Sequence, residues 1–317
     1  MATSPVAGSV ILRFLAAPTD VAALGQSRVS AGRILEWVDK AAYACAVNWS
    51  SGYCVTAYVG NVSFDQPIHS GEIVEARARL VLTGRSSMHI RVDVAAAPVA
   101  TGLFRTSTSC LVIFVAVDDQ GRSRPVPTWT PTSDEQREEA RRAAERIEIR
   151  KAIEAAMSRE TYTDQSQAPR TSFMFLAQPT DVNWGGKTHG GTVMRWIDET
   201  AWACAVRWSG TECTAVFSGG VRFYRPIPIG NLVRLDARLL HTGYSSMHIA
   251  VHVSCATPEG GDFKLTTHCL TVFVSLADGR PVKTSSWHPV TEEDRRLDAH
   301  AKHLMELRAA TPPGEIG

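Results

Sequence analysis

Two aspartates stand where charge is least expected. Asp39 and Asp198 lie inside the apolar segments RILEWVDKAAYACAV and TVMRWIDETAWACAV. Burying an unpaired carboxylate costs on the order of several kcal/mol, so such an acid is paired, neutralised or chemically used. Two bland readings stand beside the chemical one: a bond to a neighbouring helix terminus, or a polar strip shared with Glu36 or Arg195. The second feature is the loop NWGGKTHGG, Asn183 to Gly191, which runs into the second of these segments. A helix start offers unpaired N–H groups and the positive end of its dipole, which suits an oxyanion. A tight turn alone would also explain Gly190 and Gly191. Histidines beside helix starts, His189 here, are as often packed residues as catalysts. There is no GxGxxG, no GxxxxGK[ST] and no GxSxG elbow, so neither a nucleotide-phosphate loop nor a serine hydrolase is supported.

The elements that must position these residues occur twice. Trp37/Trp196, Asp39/Asp198, Cys45/Cys204, Trp49/Trp208, Phe64/Phe223, Pro67/Pro226 and Gly84/Gly243 are all separated by 159. Upstream, FLAAPTDV (Phe14 to Val21) matches FLAQPTDV (Phe175 to Val182) at an offset of 161. The copies therefore differ in length between Val21 and Gly32, where PTDVAALGQSRVSAG stands against PTDVNWGGKTHGG. Two like-folded units are expected. Each has a long enclosed helix, Gly32 to about Val47 and Gly191 to about Val206, followed by alternating strands over Ile73–Leu82, Met88–Val94 and CLVIFVAV. Polar helices outside the core follow, with caps at Ser133/Gln136 and Thr291/Asp294. The expected organisation is unit one with its tail helix over 8–157, a linker over 158–170, and unit two with its tail helix over 171–311.

Bulk properties narrow the partners. With 33 basic and 32 acidic residues among 317, no net field attracts a polyanion or a membrane surface, so nucleic acid is not expected. The start MATSPVAGSVILRF has no basic residue before an apolar core, and no run of about eighteen apolar residues occurs, so a cytoplasmic protein without membrane insertion is expected. Seven cysteines without paired CxxC motifs read as reduced core residues. No cofactor or metal is called for.

The order Asn183, Gly186, His189-Gly190-Gly191, a helix carrying Asp198, then VRFYRPIPIG and TGYSSMHI resembles the acyl-CoA hydrolase branch of the hotdog-fold thioesterases. The likeness spans almost all of both repeats. It implies an α+β fold of two tandem hotdog domains, each an antiparallel sheet around a long helix, paired within the chain. It further implies fatty acyl-CoA hydrolysis at a site shared between units, with Asn183, His189 and the Gly190 and Gly191 amides of unit two facing Asp39 of unit one. Asp39 would be general base or nucleophile, and Asn183 would orient the water or the carbonyl. In the reciprocal site Asp198 would face a loop with Leu24 opposite Asn183 and Ser30-Ala31-Gly32 in place of His189-Gly190-Gly191, a degenerate arrangement. Thr56, Arg85, Ser86, Ser87, Ser245 and Ser246 are candidate substrate contacts, with Arg222 and Arg225 nearby and Tyr43, Trp184 and Trp202 as candidate tunnel aromatics. The resemblance also implies a homo-oligomer, a trimer of double units. Rival readings are a non-catalytic acyl-CoA-binding or regulatory protein and a hotdog hydratase, the latter prompted by Asp65 and His69.

Overall fold

The computed structural model describes residues 8–23 and 26–309. Unit one runs β1 (Ser9–Leu15), α1 (Ala31–Ser50), β2 (Cys54–Val59), β3 (Val62–Ser63), β4 (Glu72–Thr83), β5 (Ser87–Pro98), β6 (Arg105–Ala116) and α2 (Asp134–Arg159). Unit two repeats the order as β7 (Arg170–Leu176), α3 (Gly190–Ser209), β8 (Glu212–Ser218), β9 (Val221–Arg222), β10 (Leu232–Thr242), β11 (Ser246–Ala256), β12 (Lys264–Ala277), β13 (Arg280–Pro281) and α4 (Glu292–Ala309). The protein is thus the expected pair of tandem hotdog domains. Each sheet is antiparallel and wraps its own helix. Met88, Ile90, Val92 and Val94 of β5, and Met247, Ile249, Val251 and Val253 of β11, turn alternate side chains inward to bury α1 and α3 in one continuous core.

The units interlock by exchange. The sheet orders are β1-β4-β5-β6-β2-β9 and β3-β8-β12-β11-β10-β7, with β13 on β12. Each unit therefore lends a two-residue strand to the edge of the other's sheet, through Tyr58↔Arg222 and Val59↔Val221 on one side and Val62↔Ser218 and Ser63↔Phe217 on the other. At the centre α1 and α3 cross in contact. A Cβ added at Gly191 would stand 2.9 Å from Glu36 Cα, and one at Gly32 would stand 2.8 Å from Arg195 Cα, so only glycine permits this approach. Glu36, itself buried, accepts from Arg195 Nε at 3.1 Å across the crossing.

The polar tail helices differ from expectation, since α2 and α4 do not lie wholly outside the core. Ile153 and Met157 of α2 join Leu297, Ala301 and Leu304 of α4 over Leu240, Ala250 and Leu270 of the second sheet, forming a smaller core. The segment read as a linker is tied down as well. The Thr163 N–H donates to Glu293 at 2.6 Å and Ser166 Oγ to Asp294 at 2.7 Å, because the acidic first turn of α4 attracts these donors. The reciprocal Thr291/Asp294 cap forms in full. No helix among the described residues is long and apolar enough to cross a membrane.

Candidate active site

The loop ahead of each buried helix is built on a PTD turn. Proline opens the turn, and the aspartate carboxylate accepts the N–H three residues back, Ala17 N at 2.7 Å from Asp20 and Gln178 N at 2.9 Å from Asp181. The same turn holds the residue that starts the helix. Ser30 N donates to Asp20 O at 2.9 Å and His189 N to Asp181 O at 3.0 Å. A second tie comes from the FxxP segments, through Val29 N to Ile68 O at 2.8 Å and Thr188 N to Ile227 O at 2.9 Å. These bonds aim the N-terminus of α3 at α1 and that of α1 at α3.

Asp39 sits where the first of these termini points. It is completely buried, and both carboxylate oxygens are engaged. Oδ2 accepts the Gly191 N–H at 2.9 Å and lies 3.0 Å from His189 Nδ1; Oδ1 accepts the Thr56 hydroxyl at 2.9 Å. A carboxylate beside Nδ1 places the ring proton on that nitrogen and leaves Nε2 as an acceptor. Gly191, expected as an oxyanion donor, thus spends its N–H on Asp39. No described group takes up the N–H of Gly190. The bland expectation of a bond to a neighbouring helix terminus is met, while the solvent-facing polar strip is not.

A cavity of about 700 Å³ opens beside this cluster. Thr56, His189, Gly190 and Asn183 line it, together with Tyr43, Tyr53, Val193, Phe223, Lys187 and Arg225. Asp39 stands behind the wall these residues form. Asn183 Oδ1 accepts the backbone N–H groups of Gly185 at 2.9 Å and Lys187 at 3.1 Å and the Tyr53 hydroxyl at 3.2 Å. Trp184 is 86% exposed at the mouth, and Tyr43 packs edge-on against the His189 ring.

Other sequence candidates lie elsewhere. Arg85 and Ser86 lie in the β4–β5 turn with Ser87 opening β5, and Ser245 lies in the β10–β11 turn with Ser246 opening β11; their carbonyls accept Val126, Ala116, Gly84, Ser275 and Gly243 amides, and none lines the cavity. Hairpin ends fall at the margin of a sheet, away from its wrapped helix. Trp202 packs against the core and does not line the cavity. Arg222 pairs with Glu154 at 2.7 Å, and His69 lies 3.1 Å from Ser27 Oγ on the exposed surface.

The second aspartate has a poorer setting. Asp198 accepts the Gly32 N–H at 2.8 Å, the counterpart of Gly191 to Asp39. Position for position, however, Ser30 replaces His189 and Ala215 replaces Thr56. Ser30 turns its hydroxyl to cap α1 at Arg33 N instead. With one donor among the described residues, burial dominates and pushes the Asp198 carboxyl up to about 7. Leu24, expected opposite Asn183, lies outside the described residues.

Sequence reading missed Tyr53. Its signal was available, because GYCVT in unit one stands against TECTA in unit two, so Tyr53/Glu212 and Thr56/Ala215 differ as the loops do.

Sequence comparison agrees with two repeated units. The thioesterase superfamily model matches twice, over residues 26–102 and 185–261. The human cytosolic acyl coenzyme A thioester hydrolase is 24% identical over 326 residues, covering 96% of this chain and 85% of that protein. Protein VdlD of Helicobacter pylori is 27% identical over 143 residues, 44% of this chain and 82% of its own. The crystal structure of an acyl-CoA hydrolase from Bacillus cereus aligns with 30% identity and a TM-score of 0.44, covering 48% of this chain and 93% of that one.

Proposed function

The chain belongs to the thioesterase superfamily, and from that premise we propose that it hydrolyses fatty acyl-CoA to free acid and CoA at one site between its units. The observation that carries this is the asymmetry of the two aspartates. Among the described residues Asp39 is held by three donors at the wall of a large cavity, and Asp198 by one.

A thioester needs a positioned water and stabilisation of the tetrahedral oxyanion. In this reading Asp39 fixes the tautomer of His189, whose Nε2 accepts the proton of the attacking water. The Gly190 N–H and the Asn183 NH2 donate to the thioester oxygen as it gains charge. Collapse of the intermediate then breaks the C–S bond, and the departing thiolate takes the proton back from His189. A fully buried Asp39 with both oxygens bonded favours this route over its acting directly as base or nucleophile. Lys187 and Arg225 supply positive charge near the mouth for the nucleotide phosphates. The same reading makes the protein cytoplasmic, in keeping with the name of its human relative, and a trimer of double units in solution, which light scattering would measure.

The test is release of free CoA from short-, medium- and long-chain substrates by the parent, Asp39→Asn, Asp198→Asn and His189→Gly. Activity lost in Asp39→Asn, kept in Asp198→Asn, and restored to His189→Gly by added imidazole is the expected pattern. Loss confined to Asp198→Asn would reverse the assignment. A parent that binds acyl-CoA without releasing CoA would favour the non-catalytic reading.

A further inference from the structure

We propose that Tyr53 of unit one is a positioning residue for this reaction: it locks the Asn183 side chain of unit two so that only its NH2 group is offered to the substrate. The inference rests on the thioesterase reading above.

The orientation of Asn183 follows from its neighbours. Backbone N–H groups can only donate, so the side-chain atom lying 2.9 Å from Gly185 N and 3.1 Å from Lys187 N is the amide oxygen. The Tyr53 hydroxyl adds a third donor at 3.2 Å. Burial raises the pKa of this phenol, so it keeps its proton and acts as a donor at neutral pH. With Oδ1 occupied three times, Asn183 has no acceptor left for a water proton. Among the described residues its nitrogen has one long contact, 3.5 Å to Thr188 O, and keeps hydrogen-bonding capacity for a thioester oxygen.

The three donors are not equivalent. Gly185 and Lys187 belong to the same loop as Asn183 and move with it, whereas Tyr53 comes from the other unit and ties the loop to a fixed body. Three residues further on, at Thr56, the same stretch of chain holds Asp39. One short run at the start of β2 therefore sets the spacing between the loop carrying Asn183 and the carboxylate behind His189. The loop is shaped to accept the ring, because a Cβ at Gly185 would lie 2.3 Å from Tyr53 Cζ and its hydroxyl oxygen. In the reciprocal position Glu212 replaces Tyr53 and Ala215 replaces Thr56, so the second site has lost both ties together.

Tyr53→Phe keeps the ring against Gly185 and removes only the hydroxyl. Loss of one neutral hydrogen bond should lower kcat roughly 2- to 12-fold with KM unchanged within about twofold. In an Asn183→Ala background the same substitution should alter kcat less than about twofold, since its route of action is already gone. Hydrogen exchange at the Gly185 and Lys187 amides should quicken in Tyr53→Phe. Full activity in Tyr53→Phe, or an equal loss in both backgrounds, would overturn the inference. If the parent hydrolyses no acyl-CoA, the thioesterase reading fails separately; unchanged exchange at those two amides would then overturn the tie itself.

Discussion

Replacing Asp198 with asparagine should stabilise the protein, by an amount that grows with pH. Asp198 is 8% exposed and is pushed from the ordinary 3.8 to about 7, chiefly by burial, against which the Gly32 N–H works. The folded chain therefore holds a proton that the unfolded chain releases earlier. Below 3.8 both states are protonated and the contribution is fully present; between 3.8 and 7 stability falls as pH rises; above 7 the loss is complete. At about 1.36 kcal/mol per tenfold change in acidity, the whole interval is worth about 4 kcal/mol, of which about 2 to 3 falls between pH 5 and pH 8. Asparagine has the same shape, still accepts the Gly32 N–H through Oδ1, and never ionises. Urea unfolding of parent and Asp198→Asn at those two pH values reads the effect, and subtracting one from the other cancels every other titrating group. A stability gap that stays constant across this range would show that Asp198 is not held protonated by its setting, and the argument from its missing partners would fail.

Asp39→Asn should cut kcat by roughly 10²- to 10⁴-fold, because the amide oxygen that keeps the Gly191 and His189 bonds carries no charge to stabilise the imidazolium formed when Nε2 takes the water proton, while Asp198→Asn stays within about threefold of the parent; steady-state CoA release decides. Thr56→Val should leave Asp39 Oδ1 unsatisfied in a dry setting and lower kcat by roughly tenfold, with Asp198 titration unaffected. Gly191→Ala should lower stability by about 1 to 3 kcal/mol, since its methyl group would meet Glu36 Cα across the helix crossing, and thermal unfolding would register this as a lower Tm. Lys187→Ala and Arg225→Ala should raise KM several-fold while leaving kcat nearly unchanged, with the effect shrinking as salt screens the phosphates; a salt-independent KM would count against phosphate contacts.

Much of the fold was legible because its signals are local and repeated. The period-two patterns at Met88–Val94 and its copy, the apolar helices around Asp39 and Asp198, and the 159-residue offset require only counting. The loop asymmetry was legible for the same reason, and it pointed to Asn183 and His189. The tail helices were misjudged because their apolar residues, Ile153, Met157 and Leu304 among them, are sparse in sequence and form a patch only when α2 and α4 lie side by side.

The amino-acid sequence by itself determined that there are two wrapped helices, each bearing a carboxylate, and that only one copy carries an asparagine-histidine-glycine loop. The tertiary structure decided which carboxylate that loop meets. Asp39 and Gly191 lie 152 residues apart in the chain and 2.9 Å apart in space, as do Tyr53 and Asn183 at 130 residues and 3.2 Å. Such contacts depend on two helices crossing at paired glycines and on strands exchanged between sheets. Hydrophobic periodicity fixes which face of an element is buried, but which residues of the other unit that face meets is set only when the two sheets close around a shared core.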